Sequence, residues 1–326
     1  MSLKEKISEI NFSNEVGNTQ MVKISNLLKN SSSNIYAKCE YLNPSGSHKD
    51  RTFNYIIEQL EKRGEISPGM TLVDCSTGNG GGALARCGKL KGYKIIVFMP
   101  EGMTEERISQ IKSFGAEIIE TPREKFLNGS VEAAEEYARK HENCYFLDQA
   151  SNPLNREAWD NCGKEINKFF GSLGQKVDYF ICAIGTGGTF SGIAKQLKIN
   201  YPDIITVGIE VDKSAPLFSK RHNKEFIHKH HNMMGLGAGV LSSNTDENLV
   251  DIIETVSGED SWTMMKKVIQ DENLQVGPTS GANILMSLKY AKEYDNKNIV
   301  TVLFDSAWKY FSRWDGVYPE YQNLNL

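Results

Sequence analysis

The sequence predicts an α/β protein of two lobes, each a mainly parallel sheet flanked by helices. Three observations predict it. Short β-branched and aromatic runs alternate with longer amphipathic stretches, and strands separated by helices pair in parallel. The alternation forms two series, one ending near residue 150 and one beginning near Asn155, so two lobes with a cleft between them are expected. Three strand-to-helix turns are rich in glycine: residues 76–82, 185–189 and 277–281.

In chain order, residues 1–34 are mixed and polar, with a turn signal at Gly17-Asn18-Thr19 and a serine loop at 31–33. Residues 35–42 alternate as a strand. Pro44 and Gly46 then make a turn, Ser45 or Ser47 is placed to cap a helix, and the apolar spacing of residues 53–60 carries that helix to Gly64. A turn at Pro68-Gly69 leads to a strand at 71–75, and a helix follows over about 83–90. A strand at 94–99 precedes a helix that Thr104 begins, with Glu105 and Glu106 in its first turn, and Gly115 ends. Strands at 116–120 and 144–147 flank a helix at 130–141. The second series has strands at 179–184, 206–210 and 299–304, with helices opening at Phe190 and spanning 282–290.

Composition excludes several classes. The chain has 326 residues, 40% of them hydrophobic, and a net charge of −4 with acids and bases interspersed, so no basic stripe is present for nucleic acid. No apolar run approaches the roughly 18 residues of a membrane span, and the first fifteen residues lack the apolar core of a signal peptide. The six cysteines (39, 75, 87, 144, 162 and 182) form no C-x-x-C pair and several sit in strand-like runs, which suits buried thiols better than disulfides or zinc. A cytoplasmic protein is expected.

The chemistry starts at Lys49, near the first turn of its helix. A lone lysine there is ordinarily solvated beside Asp50. In a dry pocket near other positive potential it is instead a carbonyl-reactive nucleophile. Gly185-Thr186-Gly187-Gly188-Thr189 follows an apolar strand and opens a helix, where backbone N–H groups converge on an anion. A dinucleotide site is the rival, with Glu210 roughly where a ribose acid belongs, but Phe190 occupies the third glycine position of that motif. A phosphate monoester fits better. Ser76 and Thr77 offer hydroxyls to a carboxylate, and Asn79 offers a side amide. Thr279 offers a hydroxyl to a ring nitrogen or simply caps its helix. Lysine, phosphate cup, carboxylate receptor and loop hydroxyl together meet the needs of a pyridoxal phosphate site. Four histidines at 222, 228, 230 and 231 match no common metal spacing and read as a polar surface loop. The aromatic stretch 308–314 reads as buried at a dimer contact.

Along nearly its whole length the sequence resembles the fold type II pyridoxal phosphate enzymes, specifically the cysteine synthases and cystathionine β-synthases. Val16-Gly17-Asn18-Thr19 is similar to that group's opening motif, and residues 43–51 resemble its N-P-x-x-S-x-K-D-R segment. Ser76-Thr77-Gly78-Asn79 resembles its substrate loop, 185–189 its phosphate loop, Gln149 to Pro153 its Q-F-x-N-P segment, and residues 235–239 its G-I-G-A-G stretch. The resemblance implies Lys49 as the cofactor lysine and Asn79 beside the ring hydroxyl. It implies Gly185, Thr186, Gly187, Gly188 and Thr189 on the phosphate, and Thr279 beside the pyridine nitrogen. Ser76, Thr77, Gly78, Asn79 and Gln149 would meet the substrate.

It also implies a smaller lobe over 42–150, inserted into a larger one made of 1–41 and 151–326, and a homodimer. A neutral hydroxyl at Thr279 gives a weak electron sink, which favours loss of a leaving group from Cβ over transamination, with Lys49 as the base at Cα. The expected reaction is β-replacement, O-acetylserine and sulfide giving L-cysteine. The alternatives are a cysteine-consuming lyase that releases sulfide, a cystathionine β-synthase-like replacement and, from another class, a nicotinamide-dependent oxidoreductase. Departures from the pattern touch the substrate side. Gly80 stands where the group has threonine, Ala150 where it has phenylalanine, and Ala307 where it has glycine.

Overall fold

The computed structural model describes residues 14–314, so the N-terminal stretch read for a signal peptide lies almost wholly outside the described residues. β1 (Met21–Ile24) pairs antiparallel with β2 (Asn34–Lys38). The strand expected through residue 42 stops at Lys38. Glu40–Leu42 is a 3-10 turn, and the Tyr41 N–H bonds Leu303 O at 2.9 Å. Cys39 and Tyr41 remain buried in that turn, so the apolar alternation outlasts the strand.

α1 (Lys49–Lys62) begins at the lysine itself. Neither serine caps it. Instead the Asp50 carboxylate reaches back, accepting from Ser45 N at 2.9 Å and Ser45 Oγ at 2.6 Å. β3 (Thr71–Cys75), α2 (Asn79–Lys91), β4 (Lys94–Pro100), α3 (Glu105–Ser113), β5 (Glu117–Thr121), α4 (Phe126–Lys140) and β6 (Cys144–Phe146) follow. Their four strands form one parallel sheet in the order β5-β4-β3-β6. Its two faces bury different cores. Val73, Cys75, Ile96 and Phe98 pack with Ala134 of α4, while Leu72, Val97 and Met99 join the main core.

The chain continues through α5 (Leu154–Glu157), α6 (Asp160–Leu173), β7 (Tyr179–Ala183), α7 (Gly188–Asn200), β8 (Ile205–Val211) and α8 (Pro216–Arg221). β9 (Ile252–Val256), α9 (Gly258–Glu272), α10 (Pro278–Glu293) and β10 (Asn298–Val302) complete it. The second sheet has six strands in the order β1-β2-β10-β7-β8-β9, parallel apart from β1. Helices α2, α4 and α10 each start four residues before the positions that apolar periodicity gives. The first turns of α2 and α10 hold only asparagine, glycine, proline, threonine and serine, which carry no amphipathic signal, while α4 opens on Phe126-Leu127 before Asn128 and Gly129.

Each sheet has a point where successive strands run off in opposite directions. In the smaller sheet it flanks β3, with β4 on one side and β6 on the other. In the larger it flanks β7, between β8 and β10. Ligands of open α/β sheets bind beyond the carboxyl ends of strands at such points. The loops at 76–79 and 185–189 lie there. Among the described residues no helix is long and apolar enough to cross a membrane.

Candidate active site

The carboxyl ends of three adjacent strands, β2, β10 and β7, lead to Lys49, Asp305 and Thr186. The turn before Lys49 is stitched in place. Asn43 Oδ1 accepts from Gly17 N at 2.9 Å, His48 N donates to Phe304 O at 2.7 Å, and Ser306 N donates to Gly46 O at 3.0 Å. Lys49 lies largely buried, and its Nζ donates to Thr186 Oγ1 at 3.5 Å. Burial pulls its ammonium down to about 8, against the opposing pull of the Asp74 carboxylate. The lysine is thus set for partial neutrality near physiological pH.

The cup it faces is built by a glycine turn. Gly187 has φ +80°, and a Cβ there would stand 2.5 Å from Thr245 N, so backbone conformation and space both require glycine. α7 starts at Gly188, directing its first N–H groups toward the turn. Thr189 is buried in that first turn. Thr245 Oγ1 is buried with no hydrogen-bond partner and leans on Gly187. An orphaned hydroxyl over a helix start beside a cation fits an anionic group. Asn155 bridges to the substrate side, its Nδ2 reaching Thr186 Oγ1 at 3.1 Å and Gln149 O at 2.7 Å.

The third element is the loop after β3. Ser76 Oγ accepts from Gly78 N at 2.9 Å and Gly81 N at 2.8 Å, so its lone pairs serve the start of α2. Thr77 is half-buried, and its carbonyl accepts from Arg107 Nη1 at 3.0 Å. Gly78 packs on the Arg107 stem. Asn79 Nδ2 donates to Asp305 Oδ2 at 2.7 Å, which leaves Oδ1 buried without a partner. Tyr310 OH holds the same carboxylate oxygen at 2.6 Å. Gln149 N bonds Asp74 Oδ2 at 3.2 Å, and its Nε2 donates to Cys75 O at 2.9 Å. Burial pushes the Asp74 carboxyl up to about 7. Thr279 is buried in the first turn of α10, and Gly277 N ties that turn to Asp305 O at 2.8 Å.

The sequence-predicted residues therefore converge, with Asn155 and Asp305 as the bridges between their loops. Asn155, Thr245, Asp74 and Arg107 were not singled out in the sequence, since each acts through contacts distant along the chain. The rival reading of Glu210 falls, and two expectations change. Glu210 is no ribose acid, because its carboxylate accepts from Leu217 N at 3.1 Å and Phe218 N at 2.8 Å and so caps α8. His231 is not a solvated loop residue. Its Nδ1 accepts from Met233 N at 3.2 Å, so Nε2 is the protonated nitrogen that donates to Gly237 O at 2.9 Å. Within the 308–314 stretch, Lys309 and Tyr310 are buried in this chain's own fold, with Lys309 Nζ on Gln110 Oε1 at 2.6 Å.

A phosphate cup facing a buried lysine across an α/β cleft defines a pyridoxal phosphate class of site. The chain belongs to that family: the model of pyridoxal-phosphate dependent enzymes matches residues 12–305. It is 36% identical over 305 residues to a cysteine synthase of Staphylococcus aureus, covering 93% of this chain and 95% of that one. Among solved structures it is similar to a hydrogen sulfide-producing enzyme from Fusobacterium nucleatum, with a TM-score of 0.84, 34% identity, and coverage of 92% of this chain and 100% of that one. It is also similar to an O-acetylserine dependent cystathionine beta-synthase from Helicobacter pylori, with a TM-score of 0.84, 31% identity, and coverage of 91% and 95%. The expected family, fold and cofactor are borne out. The nicotinamide alternative is overturned.

Proposed function

We propose that this protein is a cysteine synthase, replacing the acetoxy group of O-acetyl-L-serine with sulfide to give L-cysteine. The observation that carries the reading is Lys49 Nζ set 3.5 Å from Thr186 Oγ1, at the lip of the glycine cup. Lys49, residues 185–189, Asn79 and Thr279 would hold pyridoxal phosphate. When bound, it supplies an electron sink for the pair left at the substrate Cα. Lys49, with its lowered pKa, takes the Cα proton. Thr77 and Gln149 bind the substrate carboxylate and orient the Cα–H bond toward Lys49. Gln149 is held for this by Asp74 below and Cys75 O beside it. The division into lobes at residues 42 and 150 is supported by the smaller sheet, whose strands all lie between Thr71 and Phe146. A cytoplasmic homodimer is part of the same reading, and sedimentation tests its size.

A second reading is favoured by one observation. Gly80 brings no hydroxyl to the loop that faces the substrate, and the structurally similar Fusobacterium protein is a hydrogen sulfide-producing enzyme. That reading is a lyase that consumes cysteine. Incubation with O-acetylserine, O-phosphoserine, serine and cysteine, each with and without sulfide, separates the two. Cysteine formation from O-acetylserine and sulfide supports the synthase. Fastest turnover of cysteine alone, with sulfide released, replaces it with the lyase.

A further inference from the structure

Arg107 and Asp305 form a buried ion pair, 0% and 1% exposed, with Nη2 3.6 Å from Oδ2. They come from different sheets. Arg107 lies on α3, which follows β4 of the smaller sheet, and Asp305 lies just past β10 of the larger one. Arg107 does nothing for its own helix, because it stands in the first turn of α3, where the dipole disfavours a cation. Burying two charges is costly, and a buried pair is by itself weak evidence for stability. What the two side chains hold points to their use.

Each holds one end of the same short loop. Arg107 Nη1 donates to Thr77 O at 3.0 Å, and Asp305 Oδ2 accepts from Asn79 Nδ2 at 2.7 Å. Gly78 sits between them with φ +143°. A Cβ there would press on Arg107 Cδ and lie 2.8 Å from its Cγ, so the loop rests directly on the arginine stem. Tyr310 serves both partners. Its OH donates to Asp305 Oδ2 at 2.6 Å, and its ring centre lies 4.7 Å from the Arg107 guanidinium carbon. The Asp305 backbone is fixed in turn, bridging Ser47 ahead of Lys49 and accepting from Gly277 N at 2.8 Å.

We propose that the Arg107–Asp305 pair is a positioning device that sets Thr77 and Asn79 as one unit. Arg107 takes the Thr77 carbonyl, so the N–H and hydroxyl of Thr77 remain for the substrate carboxylate. Asp305 takes one N–H of the Asn79 amide and fixes the plane of that amide beside the cofactor ring. The inference rests on the reading that Thr77 meets the substrate and Asn79 the ring. Because one ion pair joins the two anchors, a change at either reaches both ends of the loop.

The test is a double-mutant cycle of Arg107→Met and Asp305→Asn. It is read by the KM for O-acetyl-L-serine, with L-cysteine as a parallel substrate, and by the cofactor dissociation constant from visible titration. Arg107→Met, which touches only the carboxylate end, raises both constants by roughly three- to tenfold, the scale of one lost hydrogen bond. Asp305→Asn, which touches only the ring end, raises both to a similar extent. The double variant shows no more than the larger single effect. Effects confined to each residue's own end, or effects that multiply in the double variant, overturn the proposal. So does a fall in Tm with both constants unchanged. Should a charge variant not fold, Tyr310→Phe removes only the hydroxyl on Asp305. It then raises both constants about twofold, and a change in one or neither overturns the proposal. Thr77→Val with unchanged KM, or Asn79→Ala with an unchanged cofactor constant, overturns the reading beneath. Effective Thr77 and Asn79 variants beside inert Arg107 and Asp305 variants overturn the positioning device alone.

Discussion

Two residues after Lys49, Arg51 meets the buried Glu40 carboxylate with Nε at 2.8 Å and Nη2 at 2.9 Å. The same guanidinium reaches Glu165 of α6 at 2.8 and 2.7 Å, and Lys38 joins Glu165 at 2.6 Å. Two cations and two carboxylates are thus neutralised together inside the protein. The cluster ties the first turn of α1, and with it Lys49, to β2 and α6.

Removing one member leaves the others buried and unpaired. Arg51→Ala is expected to destabilise by about 3–5 kcal/mol, the usual cost of breaking a buried pair. Arg51→Lys recovers only part of this, because one ammonium does not serve two carboxylates in a fork. Urea unfolding of the two variants checks both statements. A loss below about 1 kcal/mol for Arg51→Ala contradicts the clamp.

The glycine cup makes a sharper demand. Gly187→Ala places a β-carbon against Thr245 in left-handed backbone. It is expected to release the cofactor on gel filtration, with visible absorbance leaving the protein peak. Lys49→Ala keeps the cup intact, so it retains the cofactor non-covalently and loses essentially all turnover. Absorbance ratios of the eluted proteins compare the two directly.

Acid acts through His48. Its ring packs on Phe304 at 4.8 Å and Trp159 at 5.8 Å, and burial, with Lys49 beside it, pulls the imidazole down to about 3. The folded pKa lies below the unfolded value of about 6.5, so folding favours the neutral ring. Its contribution is complete above about pH 6.5 and is lost as pH falls from there toward 3. The histidine's share should fall by up to about 1.4 kcal/mol per pH unit in that window, and His48→Gln should remove that share of the slope. Glu40 adds its own loss lower down. Burial raises it, but Arg51 and Lys38 outweigh this and hold it at about 2, so its loss runs from about 4.5 to 2. The Asp74 and Asp50 carboxyls, pushed up to about 7 and about 6, titrate in the same window with the opposite sign, so the difference in urea midpoints between the wild type and His48→Gln from pH 7 to 5 reads the histidine step.

Much of this was legible in the sequence because demanding backbone leaves a residue-type imprint. Gly187 at φ +80°, Gly64 after α1 and Gly115 after α3 mark their turns directly. The strands β3, β4, β7, β8 and β10, buried at nearly every residue, stand out as apolar runs. β1 and β9 did not, since Met21–Ile24 has a single buried residue and Ile252–Val256 is mostly half-buried, so neither alternates cleanly. Nor did Asn155, Thr245 or the Asp305–Asn79 contact, whose partners lie far apart in the chain.

The lysine's own ionisation offers a check that needs no turnover. In the apoenzyme Lys49 should be acetylated by acetic anhydride with a rate that rises through about pH 8. Exposed lysines rise through about 10.4. Peptide mass spectrometry across pH 6–10 resolves the two.

The most direct test of the central claim is borohydride reduction of the purified holoenzyme, followed by digestion and peptide mass analysis. The account predicts one reduced pyridoxyl group per chain, on the peptide that carries Lys49, and its loss from the Lys49→Ala variant. A pyridoxyl group on any other lysine, or a colourless protein that stays inactive with added pyridoxal phosphate, contradicts it.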